Sequence, residues 1–175
     1  MRKKVILFTG LSVAFAVIIL IFVCNAALQK DPINKFKKYL EQNNYSCSKY
    51  TCTMQSERVE DDITETYSEI YQFKEHTFTA IWIHYDSSNT ATWQMEFIYN
   101  YADDTVTMNR YETADSLKAQ EPDTVYHMNN EEMLECEKGD LIASESELYN
   151  QMLSFKNVFA GHLEEADINI QDITL

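Results

Sequence analysis

TFTAIWIHYDSSNTATWQMEFIYNYADDTVTMNRY, residues 77–111, is the stretch that decides the fold. Its apolar residues recur at every second position, the period of a β-strand, whose side chains alternate between two faces. In Ala91–Tyr101, residues Ala91, Trp93, Met95, Phe97, Tyr99 and Tyr101 share one face, while Thr92, Gln94, Glu96 and Asn100 fill most of the other. In Thr77–Tyr85, Ile81, Ile83 and Tyr85 alternate with Phe78, Ala80 and Trp82, which predicts a central strand covered on both sides. Asp86-Ser87-Ser88-Asn89 joins the two strands, and Ala102-Asp103-Asp104 turns the chain into a third over Thr105–Tyr111. With three glycines and two prolines in the whole chain, Asn, Asp and Ser must make the turns.

Working upstream, a strand around Ile70–Phe73 precedes this pair, with Lys74-Glu75-His76 as its turn. Tyr45–Thr53 reads as a hairpin, β-branched and aromatic residues flanking a four-residue centre. Cys47 and Cys52 bound that centre. Opposed residues of such a hairpin lie about 4.5–5.5 Å apart at Cα, within disulfide range. A disulfide there is the expectation; the spacing is not the Cys-x-x-Cys of a redox motif. Cys136, the remaining cysteine after residue 28, is expected to be a buried thiol. Before the hairpin, Asp31 suits an N-cap and Pro32 the first helical position. Ile33, Phe36 and Leu40 then form an apolar stripe, and Asn43-Asn44 ends the helix.

Working downstream, Thr113–Asp123 reads as a loop or a short helix stopped by Pro122. Val125–His127 and Met133–Lys138 are weaker strands, and Gly139-Asp140 ends the second. Ser144 and Glu147 have capping-box spacing. Leu148, Met152, Phe155, Phe159 and Leu163 follow as one apolar stripe of a long helix. The tail Ile168–Ile173 reads as a short edge strand or a coil. The expected class is α+β: an antiparallel meander flanked by an N-terminal and a C-terminal amphipathic helix.

Val5–Val23 contains no charged residue, and Thr9 and Ser12 are its only polar members. Nineteen residues in a helix span about 28 Å, close to the hydrocarbon core of a bilayer. Arg2, Lys3 and Lys4 precede it and should stay on the cytoplasmic side, sending the remainder across. The division expected is a signal-anchor or transmembrane helix over 1–28 and an extracytoplasmic domain over 29–175. Three fates fit the segment: a retained single-pass anchor, which its length favours; cleavage and secretion; and lipidation at Cys24, against which Val23 argues.

Setting aside Arg2, Lys3 and Lys4 leaves 11 basic residues against 28 acidic ones, a net charge near −17. Such a domain repels nucleic acid and anionic headgroups, so no nucleic-acid partner is expected. The aromatic content, 11 Tyr and nine Phe, is that of a folded domain.

No catalytic, cofactor-binding or metal-binding residue can be assigned from the sequence. His76, His84, His127 and His162 belong to no His-Glu-x-x-His motif and pair with no cysteine at zinc-ligand spacing. So few glycines exclude a Walker loop, a dinucleotide fingerprint and a nucleophile elbow. Glu60, Asp61, Asp62 and Glu65 lack a calcium-loop framework. Trp82, Trp93, Tyr85, Tyr99 and Tyr101 are candidates for a binding face of the sheet; the competing reading is that the helices cover them as core.

The lysine-rich start, the apolar segment, the opening helix, Tyr45-Ser46-Cys47-Ser48-Lys49-Tyr50-Thr51-Cys52 and the Tyr-rich meander resemble the small uncharacterised exported proteins of low-GC Gram-positive bacteria, some of them membrane-anchored or lipoproteins. The resemblance implies a location and no activity. The functional expectation is a non-enzymatic binding or interaction domain at the cell surface, with the membrane (through residues 5–28) and a protein as partners. The alternatives are an accessory subunit of a membrane complex and a hydrolase-type enzyme without a recognisable motif.

Overall fold

The computed structural model describes residues 31–60, 63–139 and 144–174; the apolar N-terminal segment with Cys24, and Asp61 and Asp62, lie outside them. Helix α1 (Pro32–Gln42) leads into eight strands: β1 (Ser46–Cys47), β2 (Thr51–Glu60), β3 (Ile63–Gln72), β4 (Thr77–Tyr85), β5 (Ala91–Asn100), β6 (Thr105–Tyr111), β7 (Thr124–Met128) and β8 (Leu134–Lys138). Helix α2 (Ala114–Ala119) sits between β6 and β7, and α3 (Glu145–Glu165) follows the sheet. All eight strands pair antiparallel with their sequence neighbours, in the order β1 to β8. The class is α+β, an antiparallel meander with helices.

The local chemistry accounts for the ends. Asp31 caps α1, its carboxylate accepting from the Ile33 amide, and Asn44 takes a left-handed backbone at φ 68°. Asn89 and Asp104 do the same in the β4–β5 and β5–β6 turns, where short polar side chains stand in for glycine. The Ser144 side chain accepts from the Glu147 amide at the start of α3. Gly139, at φ 83°, ends β8 where a Cβ would come within 2.8 Å of the Asp123 carbonyl oxygen and 2.9 Å of Thr124 Oγ1.

One face of the sheet carries the core. Tyr71, Phe78, Ala80, Phe97, Tyr99, Val106, Met108, Tyr126 and Met128 point to it and are buried beneath Phe36 and Leu40 of α1 and the Leu148–Leu163 stripe of α3. The rings interlock: Phe78 stacks on Phe155 at 4.8 Å, and Tyr101 on Phe159 at 4.9 Å. α3 crosses the strands from the β7–β8 side to the α1 side. Tyr149 near its start reaches Glu132 in the β7–β8 loop, Lys156 reaches Asp104, and His162 near its end meets Tyr71 and Tyr39 on the α1 side.

Three expectations change, and the tail resolves between its two alternatives. The strand expected at Ile70–Phe73 is the end of a ten-residue strand, β3, which pairs with the whole of β2 from Thr51↔Gln72 to Glu60↔Ile63. β4 is not sealed on both sides: Phe78, Thr79 and Ala80 are buried, but Ile81–Tyr85 are only partly so, because α1 and α3 lie on the Phe78 face. Cys136 is exposed rather than buried, since β8 is the outermost strand and four of its five residues face solvent. The tail forms a single 3-10 turn, Ile170–Asp172, that drops Ile173 into the core; it adds no strand.

Candidate functional site

Cys47 and Cys52 face each other across the β1–β2 hairpin and form a disulfide, with Cα atoms 4.0 Å apart. It ties the short edge strand β1 to the sheet, and Cys52 is fully buried. This is a structural bond.

The five candidate aromatics divide into three groups. Tyr99 and Tyr101 are core: both are buried against Phe159, and the Tyr99 hydroxyl donates to Asp104. Tyr85 lies on the opposite face of the sheet, with Ile81 and Ile83, as its register with Thr64 requires. Trp82 and Trp93 share the helix-bearing face where α3 leaves it only partly covered. There, cross-strand pairing sets Ser56, Tyr67, Trp82, Met95 and Arg110 in one row and Arg58, Glu65, His84 and Trp93 in the next. The Tyr67 and Trp82 rings lie 4.6 Å apart, and the His84 and Trp93 rings 4.7 Å.

A groove of about 690 Å³ runs between this surface and the first half of α3. Tyr67, Trp82, Met95 and Phe97 make its floor, and Phe155 closes one side. Ser146, Asn150, Ser154 and Val158, four residues apart along one row of the helix, form the wall with Glu147 and Gln151. The wall residues Asn150, Gln151, Ser154 and Val158 are exposed. Periodicity in α3 points only to its buried stripe, so these residues give no sequence signal; only Trp82 of the groove was legible beforehand.

At the inner end of the floor Tyr67 joins a buried polar cluster. Glu69 is 6 % exposed, and its carboxylate accepts from the hydroxyls of both Tyr45 and Tyr67. Burial first, and then the Glu69 carboxylate, hold both phenols well above the ordinary tyrosine range, so they remain donors. Alongside, Tyr71 Oη and His162 Nδ1 are hydrogen-bonded. Burial lowers the His162 pKa, against the opposing pull of Glu69 and Glu165. Tyr39 of α1 donates to Glu165 of α3; burial and that carboxylate push its phenol up to about 12.

A second, larger hollow of about 1060 Å³ lies between the end of α3, the β5–β6 turn and the tail. Of its charged groups, Lys156 pairs with Asp104 at 2.7 Å, and Tyr99 donates to the same carboxylate at 2.8 Å. His84 Nε2 lies 3.2 Å from Glu65, part-exposed, and His127 Nδ1 lies 3.3 Å from Thr107 Oγ1; neither histidine lines the groove. Among the described residues no three His, Cys, Asp or Glu side chains converge as a metal site, and no helix is long and apolar enough to cross a membrane.

No protein-family model, no curated protein and no solved structure matches this chain.

Proposed function

We propose that this chain is a non-enzymatic binding domain displayed outside the cytoplasm and held at the membrane by residues 5–28. The observation that carries the binding role is the groove beside α3. Tyr67, Trp82 and Met95 stand there on a rigid sheet, half-exposed beside a helix wall of hydroxyls and amides, the mixture of apolar surface and few polar groups that ligand sites share. The location rests on the uncharged Val5–Val23 run behind Arg2, Lys3 and Lys4, and the disulfide agrees with an oxidising compartment. The resemblance to small exported proteins of low-GC Gram-positive bacteria points the same way.

Site-specific photo-crosslinking in intact cells tests this. A benzophenone side chain at Ser154, on the groove wall, should give discrete adducts, while the same group at Ile83, on the opposite face, should not. Equal labelling from both positions would refute a groove-directed role. Surface exposure is tested in the same cells by a membrane-impermeant maleimide, which should modify the exposed Cys136.

A further inference from the structure

The groove's chemistry narrows what it takes. Resting on the binding role proposed above, we infer that its occupant is a basic, amphipathic peptide segment of a partner protein, with bulky apolar side chains in the groove and Lys or Arg residues toward Glu147 and the acidic surface of the domain.

Four observations carry this. The floor is made of Tyr67, Trp82, Met95 and Phe97, with Phe155 at one side; the Tyr67 hydroxyl is already committed to Glu69, so the floor is chiefly apolar. On such a floor Leu-, Ile- or Phe-like side chains would be stabilised by burial. The wall from Ser146 to Val158 is about 18 Å long at the helical rise, room for five or six extended residues. Ser146, Asn150, Gln151 and Ser154 supply donors and acceptors for a peptide backbone along that length.

The charge decides the sign. Glu147 is the one charged residue lining the groove among those described. The arginines of the two rows are already committed, Arg58 to Glu60 and Arg110 to Glu112. Glu65 stands between Arg58 and the part-exposed His84, so Glu147 sets the local sign, and the domain as a whole is strongly acidic. An anionic segment would be repelled and a cationic one drawn in, with the Trp82 and Trp93 rings as further acceptors of positive charge.

The test uses the full chain in phosphatidylcholine nanodiscs, with empty discs subtracted. Trp82 and Trp93 are its only tryptophans, so their fluorescence reports on this surface alone. The probes are capped octapeptides alternating Lys–Leu, Glu–Leu and Lys–Ser, and maltoheptaose as a neutral oligosaccharide. The Lys–Leu peptide should give a saturable blue shift. Its affinity should fall several-fold between about 0.05 and about 0.5 M salt. It should fall at least about tenfold in Ser154→Phe, which fills the groove from an exposed helix position; unchanged melting of that variant confirms its fold. If Glu–Leu binds as tightly, if Lys–Ser binds as tightly, or if only maltoheptaose binds, the partner class is wrong while the groove stands as a site. If Lys–Leu binding is indifferent to Ser154→Phe, or no probe binds, the groove reading itself fails.

Discussion

Removing the Tyr45 hydroxyl exposes how the buried cluster under α3 is held together. Tyr45 and Glu69 are 7 % and 6 % exposed, so water cannot replace a lost donor. In Tyr45→Phe the ring keeps its edge contacts with Tyr71, at 5.8 Å, and with His162, at 6.2 Å, and only the hydrogen bond to Glu69 goes. A hydrogen bond to a charged group contributes about 1.5–3 kcal/mol, which is the destabilisation expected. Tyr67→Phe should cost somewhat less, because Tyr67 is only part-buried. The double variant leaves the carboxylate with neither phenol and should lose about 3–5 kcal/mol, the range for stranding a buried charge. Adding Glu69→Met to the double variant removes the stranded charge at similar volume and should recover most of the loss, because replacing all partners by apolar groups is close to neutral. Urea unfolding followed by tryptophan fluorescence measures each step. Losses below about 0.5 kcal/mol in the single variants, or a triple variant no more stable than the double, would refute the claim that Glu69 depends on its two phenols.

The Tyr101 hydroxyl is buried without a hydrogen-bond partner, so Tyr101→Phe should leave stability unchanged or raise it by about 1 kcal/mol, read as an equal or higher Tm in a thermal melt. The two described glycines should respond oppositely to alanine. Gly161 has open space where a Cβ would go, and Gly161→Ala should stabilise α3 by about 0.5–1 kcal/mol; Gly139→Ala meets the Asp123 carbonyl at a left-handed backbone and should cost more than about 1 kcal/mol, both measured by urea unfolding. His162 has its pKa lowered by burial, so between the folded value and the ordinary value near 6.5 the unfolded chain binds more protons. Stability is then full above about pH 6.5 and falls as pH drops below it; unfolding midpoints at stepped pH should show this slope, and His162→Gln should flatten it.

Legibility in the sequence followed the chemistry of each segment. β4, β5 and β6 were readable to within a residue because one face of each is buried against helices at Phe78, Phe97, Tyr99 and Met108, and in β5 the partly exposed Trp93 and Met95 continue the same alternation. α1 was readable from Asp31-Pro32 and Asn43-Asn44. The outer half of the β2–β3 hairpin was not. Ser56–Glu60 and Ile63 and Glu65 are exposed, so no buried face imposes a period, and what stabilises the ladder is its backbone pairing and cross-strand contacts such as Arg58 opposite Glu65. The exposure of Cys136 was hidden for a related reason: an edge position depends on the order of eight strands, and no local pattern encodes it. The groove combined both difficulties. Trp82 and Trp93 stood out by type, but their separation from Tyr99 and Tyr101 depends on where α3 crosses.

That crossing explains why this face is left partly open. Eight strands at about 4.8 Å spacing make a sheet nearly 35–40 Å wide, and a twist of about 20–25° per strand turns its two edges far out of line. α3, with 21 residues, is a rod of about 31 Å, roughly 10 Å across. It can cover a twisted sheet only along one line. It runs from the β7–β8 loop at Tyr149 to α1 at His162, and α1 fills the corner over Tyr71 and Phe73. That line buries Phe78, Phe97, Tyr99 and Tyr101 and leaves the opposite ends of β3, β4 and β5 partly uncovered. If those ends had only to stay soluble, the polar residues of the neighbouring β2, Ser56 to Glu60, would be the pattern to continue across them. Instead the row reads Tyr67, Trp82 and Met95, large apolar side chains on the uncovered surface, set opposite a helix row of Ser146, Asn150 and Ser154 with no charge among them. Apolar area left in water at a place the fold cannot cover is costly to keep, and its retention there is the physical reason to treat the groove as a surface that a partner completes.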